Sequence, residues 1–378
     1  MCVRSVCYVT GTRADFGLMR RALQLAAADP RLVVSVCVTG MHLLADYGET
    51  AREIEAAGLS IGARIPVALA GADGGAMARA LAVQLAGMVE AFERQRPDLV
   101  VVLGDRGEML AGALAAIHLN IPIVHLHGGE LSGTVDEPIR HAISKFAHYH
   151  FVSSEGARAR LIRMGEQPAH IFVTGAPGLD DLADLATMPR TELCAEAGLN
   201  PDQAVALVVF HGVLQEAELA GAQCAAIVEA IGRAGCQMLA LLPNSDAGGE
   251  AIRSVLEGAR HRPGVQVAAH LERRRFVSWM AVADVMVGNS SSGIIEAASL
   301  GLPVVNVGSR QQGRERSGNV IDVPAEIGPI LAAIEQARAW RGRVWHNVYG
   351  DGDAGHRIVE LLATLPLTQE LLQKRNAY

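Results

Sequence analysis

The sequence predicts an α/β protein built from two doubly wound domains that face each other across a cleft. Three observations carry this expectation. Short apolar runs alternate with amphipathic helical stretches from end to end, the pattern of repeated βαβ units and a parallel sheet. Half of the residues are hydrophobic but only 4% are aromatic, and there are 40 glycines. Such a core of Ala, Val, Leu and Ile suits strands covered by helices on both faces. The pattern also restarts after Gly175-Ala176-Pro177-Gly178, and 378 residues are enough for two cores.

In the first half, strands are expected at Val3–Thr10, Val33–Thr39, Leu99–Gly104, Ile121–His125 and Tyr149–Ser153. Helices are expected at Leu18–Ala28, near Tyr47–Ala57, and at Ala76–Arg94, Gly107–His118 and Glu137–Ala147. After a less regular stretch at 178–200, strands are expected at Val205–Phe210, Gln237–Leu242, Val265–Ala268, Val285–Val287 and Pro303–Val307. The helices between them are Glu216–Ala234, Gly249–Arg260, Arg274–Ala281 and Gly293–Leu300, with the last ones near Ala325–Arg338 and Gly355–Ala363. The expected division is 1–178, 179–355 and a C-terminal helix within 356–378.

Composition excludes several classes. The net charge of −7 disfavours a nucleic-acid partner, which would need a basic excess. No apolar run is long enough for a membrane span, and MCVRSVCYVTG reads as a strand rather than a leader. The six cysteines have no CxxC spacing, so no zinc or redox pair is expected. The cytoplasm is the expected compartment.

Ligands of open α/β sheets sit beyond the carboxyl ends of the strands, so the loops there are the places to look. The first, Thr10-Gly11-Thr12-Arg13-Ala14-Asp15, offers a tight turn and a guanidinium suited to phosphate. A bland reading is a turn with a solvated Arg13–Asp15 pair. It is not GxGxxG, and the second strand ends without an acidic residue, so a nicotinamide cofactor is not expected. After VVVLG, Asp105 is either a base or the cap of the next helix, with Arg106 beside it. His125-Leu126-His127-Gly128-Gly129-Glu130 follows, then Asp136, Glu137, Arg140 and His141. Strand alternation would point His125 and His127 the same way. That pair is compatible with a metal site, but the double glycine favours backbone making room for a ligand between acid/base groups. His148 and His150 read as structural.

In the second half, His211 ends a strand, and Asn244 and Asp246 end the next. Gly288-Asn289-Ser290-Ser291-Ser292-Gly293 places hydroxyls and glycines before a helix, a setting for a diphosphate, with Glu296 placed to accept both ribose hydroxyls. Arg310 lies in a further cationic loop, Ser309-Arg310-Gln311-Gln312-Gly313-Arg314.

Taken together, these loops resemble the UDP-N-acetylglucosamine 2-epimerase family, and more closely its hydrolysing branch, used in sialic and legionaminic acid biosynthesis. The resemblance runs from Val9 to about Asp322. It rests on Gly104-Asp105-Arg106, on His127-Gly128-Gly129-Glu130 with Asp136-Glu137-Pro138-Ile139-Arg140-His141, on the Ser290-Ser291-Ser292 turn and on Arg310-Gln311-x-Gly313-Arg314. It implies a glycosyltransferase-B-like pair of Rossmann-like domains, with the last helix returning to the first. It implies a nucleotide sugar bound by Arg13, Asp15, Arg106, His211, Asn244, Asp246, His270, Ser290, Ser291, Glu296 and Arg310. Asp105, His127, Glu130 and Asp136 would be the acid/base set. No cofactor or metal is implied, and a homo-oligomer is expected. Some relatives carry Glu at the place of His127, and many carry His-Pro where this chain has His211-Gly212. The implied reaction is elimination of the nucleoside diphosphate to a glycal, then water addition with inversion at C2. A non-hydrolysing epimerase, a glycosyltransferase of the same architecture, an inactive nucleotide-sugar sensor and a metal-dependent hydrolase are the alternatives.

Overall fold

A run such as Leu-Val-Val-Val-Leu at 99–103, apolar at every position, must be hidden on both faces, and all five residues are buried. The computed structural model describes residues 3–45, 48–67, 74–131, 136–243 and 248–377. It divides into two compact units. Unit 1 is Met1–Asp180 with Tyr349–Tyr378, and unit 2 is Asp181–Val348.

Unit 1 runs β1 (Arg4–Thr10), α1 (Arg13–Ala28), β2 (Leu32–Thr39), α2 (Ala51–Ala56), β3 (Ser60–Ile65), α3 (Gly74–Gln95), β4 (Leu99–Leu103) and α4 (Gly107–His118). It continues with β5 (Ile123–Leu126), α5 (Asp136–Phe146), β6 (Tyr149–Val152), α6 (Glu155–Arg163) and β7 (Ile171–Val173). Its sheet has the order β3-β2-β1-β4-β5-β6-β7, with every pair parallel. One core layer packs Phe16, Met19 and Leu23 of α1 on the sheet; the other packs Met88, Phe92 and Met109.

Unit 2 begins with α7 (Leu182–Leu185), α8 (Arg190–Ala197), β8 (Val205–Val209), α9 (Ala220–Arg233), β9 (Gln237–Leu241), α10 (Gly249–Ala259) and β10 (Val265–Ala268). Then come α11 (Arg273–Val282), β11 (Val285–Gly288), α12 (Ser291–Ile295), β12 (Val304–Val307), β13 (Val320–Val323) and α13 (Ile327–Arg338). The sheet order is β10-β9-β8-β11-β12-β13, again all parallel.

The chain then returns to unit 1 as α14 (Ala354–Thr364), which packs Ile358 and Leu362 into the core beside α1. Asp180 caps its first turn, accepting from Ala354 N–H at 2.9 Å and Gly355 N–H at 2.5 Å. Both sheets reverse strand order once, between β1 and β4 and between β8 and β11. These switch points are where doubly wound sheets hold ligands.

Three sequence-based expectations need correction. Strands β3, β7 and β13 were not anticipated, and all three are sheet edges. An edge strand is half solvated, so Ser-Ile-Gly-Ala-Arg-Ile and Val-Ile-Asp-Val lack a continuous apolar run. Helix α1 starts at Arg13, not Leu18, because Thr12 and Asp15 form a capping box. The expected helix 293–300 is broken: α12 ends at Ile295 and a separate 3₁₀ turn covers Ala297–Leu300.

Candidate functional site

In unit 1, the loop after β1 passes directly over Glu108 of α4. A Cβ on Gly11 would lie 2.6 Å from Glu108 Cγ. Gly40, at the end of β2 with φ +57°, would meet Glu108 Oε1 at 2.9 Å. Glycine at both places lets two strand-end loops close over one buried carboxylate, which Arg106 also holds through two contacts of 3.3 Å.

Asp15 is turned into its own loop rather than outward. Its carboxylate accepts from Gly11 N–H at 3.2 Å, from Thr12 N–H at 3.1 Å, from the Thr12 hydroxyl at 3.2 Å, and from Thr10. Burial pushes its pKa up to about 6, against these hydrogen bonds. The imagined Arg13–Asp15 pair does not form; Arg13 instead meets Glu53 at 3.0 Å. His42, missed by the sequence reading, is fully buried between Thr10 Oγ1 at 3.0 Å and Thr50 Oγ1 at 2.7 Å.

Asp105 does not cap α4, whose first turn has no side-chain cap. It pairs with Arg140, which also reaches Glu130 at 3.4 Å. Arg140 is 4% exposed, so one buried guanidinium ties together carboxylates from the β4 and β5 loops. Alternation does not carry past β5, and His125 and His127 part company. His125 stays in the strand, buried between Gly104 O at 2.8 Å and Ser144 Oγ at 3.0 Å. His127 lies beyond the strand end with φ +59°, a left-handed conformation that re-aims its ring. Its Nδ1 meets Glu130 Oε1 at 2.7 Å, and the Ser153 hydroxyl donates to the same oxygen at 2.6 Å. A carboxylate held by Ser153 and Arg140 accepts, so in the neutral ring Nδ1 carries the proton and Nε2 is the open acceptor. That Nε2 is buried and has no hydrogen-bond partner among the described residues. Ser153 was missed although it follows β6; a lone serine after a strand gives little signal.

Asp136 opens α5, but its side chain lies outside the described residues, as do Asn244 and Asp246. His148 accepts from Ile123 N–H at 3.1 Å, and His150 meets Glu166 at 3.0 Å. Among the described residues, no three His, Cys, Asp or Glu side chains gather to hold a metal ion. None of the described helices is long and apolar enough to cross a membrane.

Burial lowers His125 to about 3 and His42 and His148 to about 4. An unfolded histidine takes up a proton near pH 6.5, whereas these three resist it. Stability is therefore expected to fall as pH drops from 6.5 towards 4, by about 2 kcal/mol between pH 6.5 and 5 for His125 alone. The raised Asp15 carboxyl opposes this between about pH 6 and 4 but is outnumbered. Urea denaturation at pH 7 and pH 5 checks the sign; equal midpoints would contradict it.

In unit 2 the switch-point loops are joined by Asn289. Its side chain exchanges two hydrogen bonds with the His211 backbone, accepting from N–H and donating to C=O, each at 2.8 Å. Its own carbonyl accepts from Arg310 at 3.1 Å and Gln311 at 2.9 Å. Gly288, at φ +142°, is required there, since a Cβ would sit 2.1 Å from Val209 O. His211, Arg310 and the serines are thus brought to one sheet edge. Ser290 and Ser292 hydroxyls lie 2.7 Å apart. With only five residues, α12 offers a weak dipole, so hydroxyls and N–H groups would do most of any anion binding there. Glu296, 5% exposed, is held by Arg273 at 2.5 Å. Arg273 was unrecognised because Arg273-Arg274-Arg275 reads as a solvated charge run. His270 is exposed after β10.

Comparison with known proteins gives the family and the fold. Residues 24–363 match the family described as UDP-N-acetylglucosamine 2-epimerase. The chain is 50% identical, over the full length of both proteins, to the hydrolysing UDP-N,N'-diacetylbacillosamine 2-epimerase of Legionella pneumophila. It is 34% identical to the UDP-N-acetylglucosamine 2-epimerase of Neisseria meningitidis, over 89% of this chain and 88% of that protein. A crystal structure of a UDP-GlcNAc 2-epimerase from Neisseria meningitidis, bound to UDP-GlcNAc, superposes with a TM-score of 0.82 at 20% identity, covering 95% of this chain and 99% of the other. The fold is therefore the glycosyltransferase-B-like pair of Rossmann-like domains, and the chain belongs to the UDP-N-acetylglucosamine 2-epimerase family.

Proposed function

We propose that the protein is a hydrolysing 2-epimerase whose substrate is UDP-linked N,N'-diacetylbacillosamine, a 2,4-diacetamido-6-deoxy sugar. The choice of sugar is supported by the 50% identity, end to end, to the Legionella pneumophila enzyme of that name. The chemistry is supported by one observation above all: a buried imidazole whose Nδ1 lies 2.7 Å from Glu130 and whose buried Nε2 has no hydrogen-bond partner among the described residues.

The C2 proton of such a sugar is weakly acidic, so departure of the diphosphate must lead or accompany its removal. His127 Nε2 takes the C2 proton. The C–H electrons form the C1=C2 bond of a glycal, and the C1–O pair leaves with the diphosphate. Glu130 stabilises the imidazolium that forms, and Ser153 and Arg140 keep Glu130 in place. Arg13, Ser290, Ser291 and Arg310 carry the charge of the departing diphosphate, and Glu296 accepts the ribose hydroxyls. Arg106 and His211 complete the nucleotide contacts, while Asp15 acts indirectly by holding the β1 loop in shape. Water then adds at C1, and C2 receives a proton on the opposite face. Inversion requires a second group on that face, and Asp105 and Asp136 are the candidates. The five described cysteines are free, and four of them are buried, which suits a cytoplasmic enzyme. A homo-oligomer is part of the same reading and is checked by sedimentation.

Turnover of UDP- and GDP-linked sugars tests the substrate. The expected kcat/KM for UDP-N,N'-diacetylbacillosamine exceeds that for UDP-N-acetylglucosamine by at least about tenfold, because the 4-acetamido group is an additional contact. Equal or reversed preference would overturn the choice of sugar, and a product still attached to UDP would favour the non-hydrolysing reaction.

A further inference from the structure

We infer that unit 1 carries a second ligand pocket, at the amino ends of β5, β6 and β7, which takes a small molecule through one carboxylate or phosphate group and is coupled by α5 to the candidate site. The strand-end loops that hold His127 and Ser153 lie at the opposite edge of the same sheet. The pocket is a cavity of about 450 Å³, lined among others by His148, Glu166, His170, Glu370, Lys374 and Arg375. That volume suits a small molecule.

Two features favour an acceptor-bearing, anionic ligand. The first is His148, which is 3% exposed. Its Nδ1 accepts from Ile123 N–H at 3.1 Å and is therefore bare, so the ring proton is on Nε2. That N–H donor is buried without a partner among the described residues, a costly state unless a ligand or water supplies an acceptor. The second is charge. Glu166 is shared by Lys145 at 2.7 Å and Lys374 at 2.6 Å, so one carboxylate faces two ammonium groups. Arg375 is exposed and its guanidinium forms no ion pair among the described residues. Among the lining side chains Lys374 and Arg375 balance Glu166 and Glu370, and Lys145, which is not in the lining but meets Glu166, tips the local balance to one positive charge, matched to one anionic group.

The connection to the site is a continuous set of hydrogen bonds. Lys374 Nζ donates to Ser144 O at 2.9 Å and Ala147 O at 2.5 Å, at the end of α5. Ser144 Oγ meets His125, which holds Gly104 O at 2.8 Å, one residue before Asp105. Arg140, on the same helix, holds Asp105 and Glu130. A ligand that draws on Lys374 therefore pulls on the helix that positions both carboxylates.

The test uses the full chain with ¹⁵N-labelled histidine, titrated with inorganic phosphate and, separately, acetate, against sodium chloride at equal ionic strength. The expected result is a saturable change in the His148 and His170 ring signals with one or both anions; the tighter of the two identifies the group preferred. Arg375→Gln, a change at an exposed residue, should weaken that binding at least fivefold while leaving the rate without added anion unchanged. At saturation, kcat/KM of the native chain should change at least twofold, and that change should be lost in Arg375→Gln. Signals that follow chloride equally, or binding untouched by Arg375→Gln, would overturn the pocket. Saturable binding with no rate change would overturn the coupling. The ring signals do not depend on turnover, so failure of the proposed reaction would be seen separately.

Discussion

Replacing His127 with asparagine should lower kcat by about 10²- to 10⁴-fold, the usual contribution of a positioned general base. The effect should be confined to one half of the reaction. An asparagine amide can still donate to Glu130 from near the place of Nδ1, so the loop keeps its anchor, but the acceptor at Nε2 is gone. Nucleotide affinity should stay within a few-fold of the native value, because His127 is not among the groups proposed to hold UDP. Elimination should fail, whereas hydration of a supplied 2-acetamido glycal should persist, since its proton comes from the other face. Rapid-quench and NMR assays of the two half-reactions check this. Equal loss in both would show that His127 shapes the site rather than taking the proton. Ser153→Ala, which leaves the imidazole in place but loosens Glu130, should fall between the native and His127→Asn rates.

The second large effect concerns stability. Arg140→Met removes a buried guanidinium and leaves Asp105 and Glu130 without their shared cation. Breaking a buried ion pair from one side typically costs about 3–5 kcal/mol, because the remaining charge stays desolvated. The expected result is an unfolding free energy lower by that amount in urea denaturation. A triple replacement, Arg140→Met with Asp105→Asn and Glu130→Gln, should recover stability but not activity. An Arg140→Met protein as stable as the native one would mean that the two acids find other partners.

Much of this arrangement was legible in the sequence, for identifiable reasons. Central strands such as Leu99–Leu103 and Val205–Val209 are apolar throughout because both faces are covered, and that signal is strong. Edge strands β3, β7 and β13 are short or interrupted, and so were invisible. The loops proposed to carry the chemistry could be picked out because they follow strands at the carboxyl edge. What sequence spacing lacks is direction. It aligned His125 with His127, but a positive φ at His127 separates them, leaving one structural imidazole and one free acceptor. It gave Asp15 to the ligand, whereas the carboxylate closes a capping box. Long-range partners were also hidden: Arg140 lies 35 residues from Asp105, and Arg273 lies 23 from Glu296. Asn289 sat unremarked inside a serine motif, yet its side chain joins the β8 and β11 loops.

In the proposed reaction the nucleoside diphosphate leaves by elimination and C2 is then reprotonated from solvent on its other face. Turnover of UDP-N,N'-diacetylbacillosamine in deuterated water, followed by proton NMR of the sugar and chromatography of the nucleotide, tests it most directly. The account predicts free UDP together with a 2-epimerised sugar carrying deuterium at C2 in essentially every molecule. An epimerised sugar that retains its C2 proton, or an unepimerised one released with UDP, would contradict it.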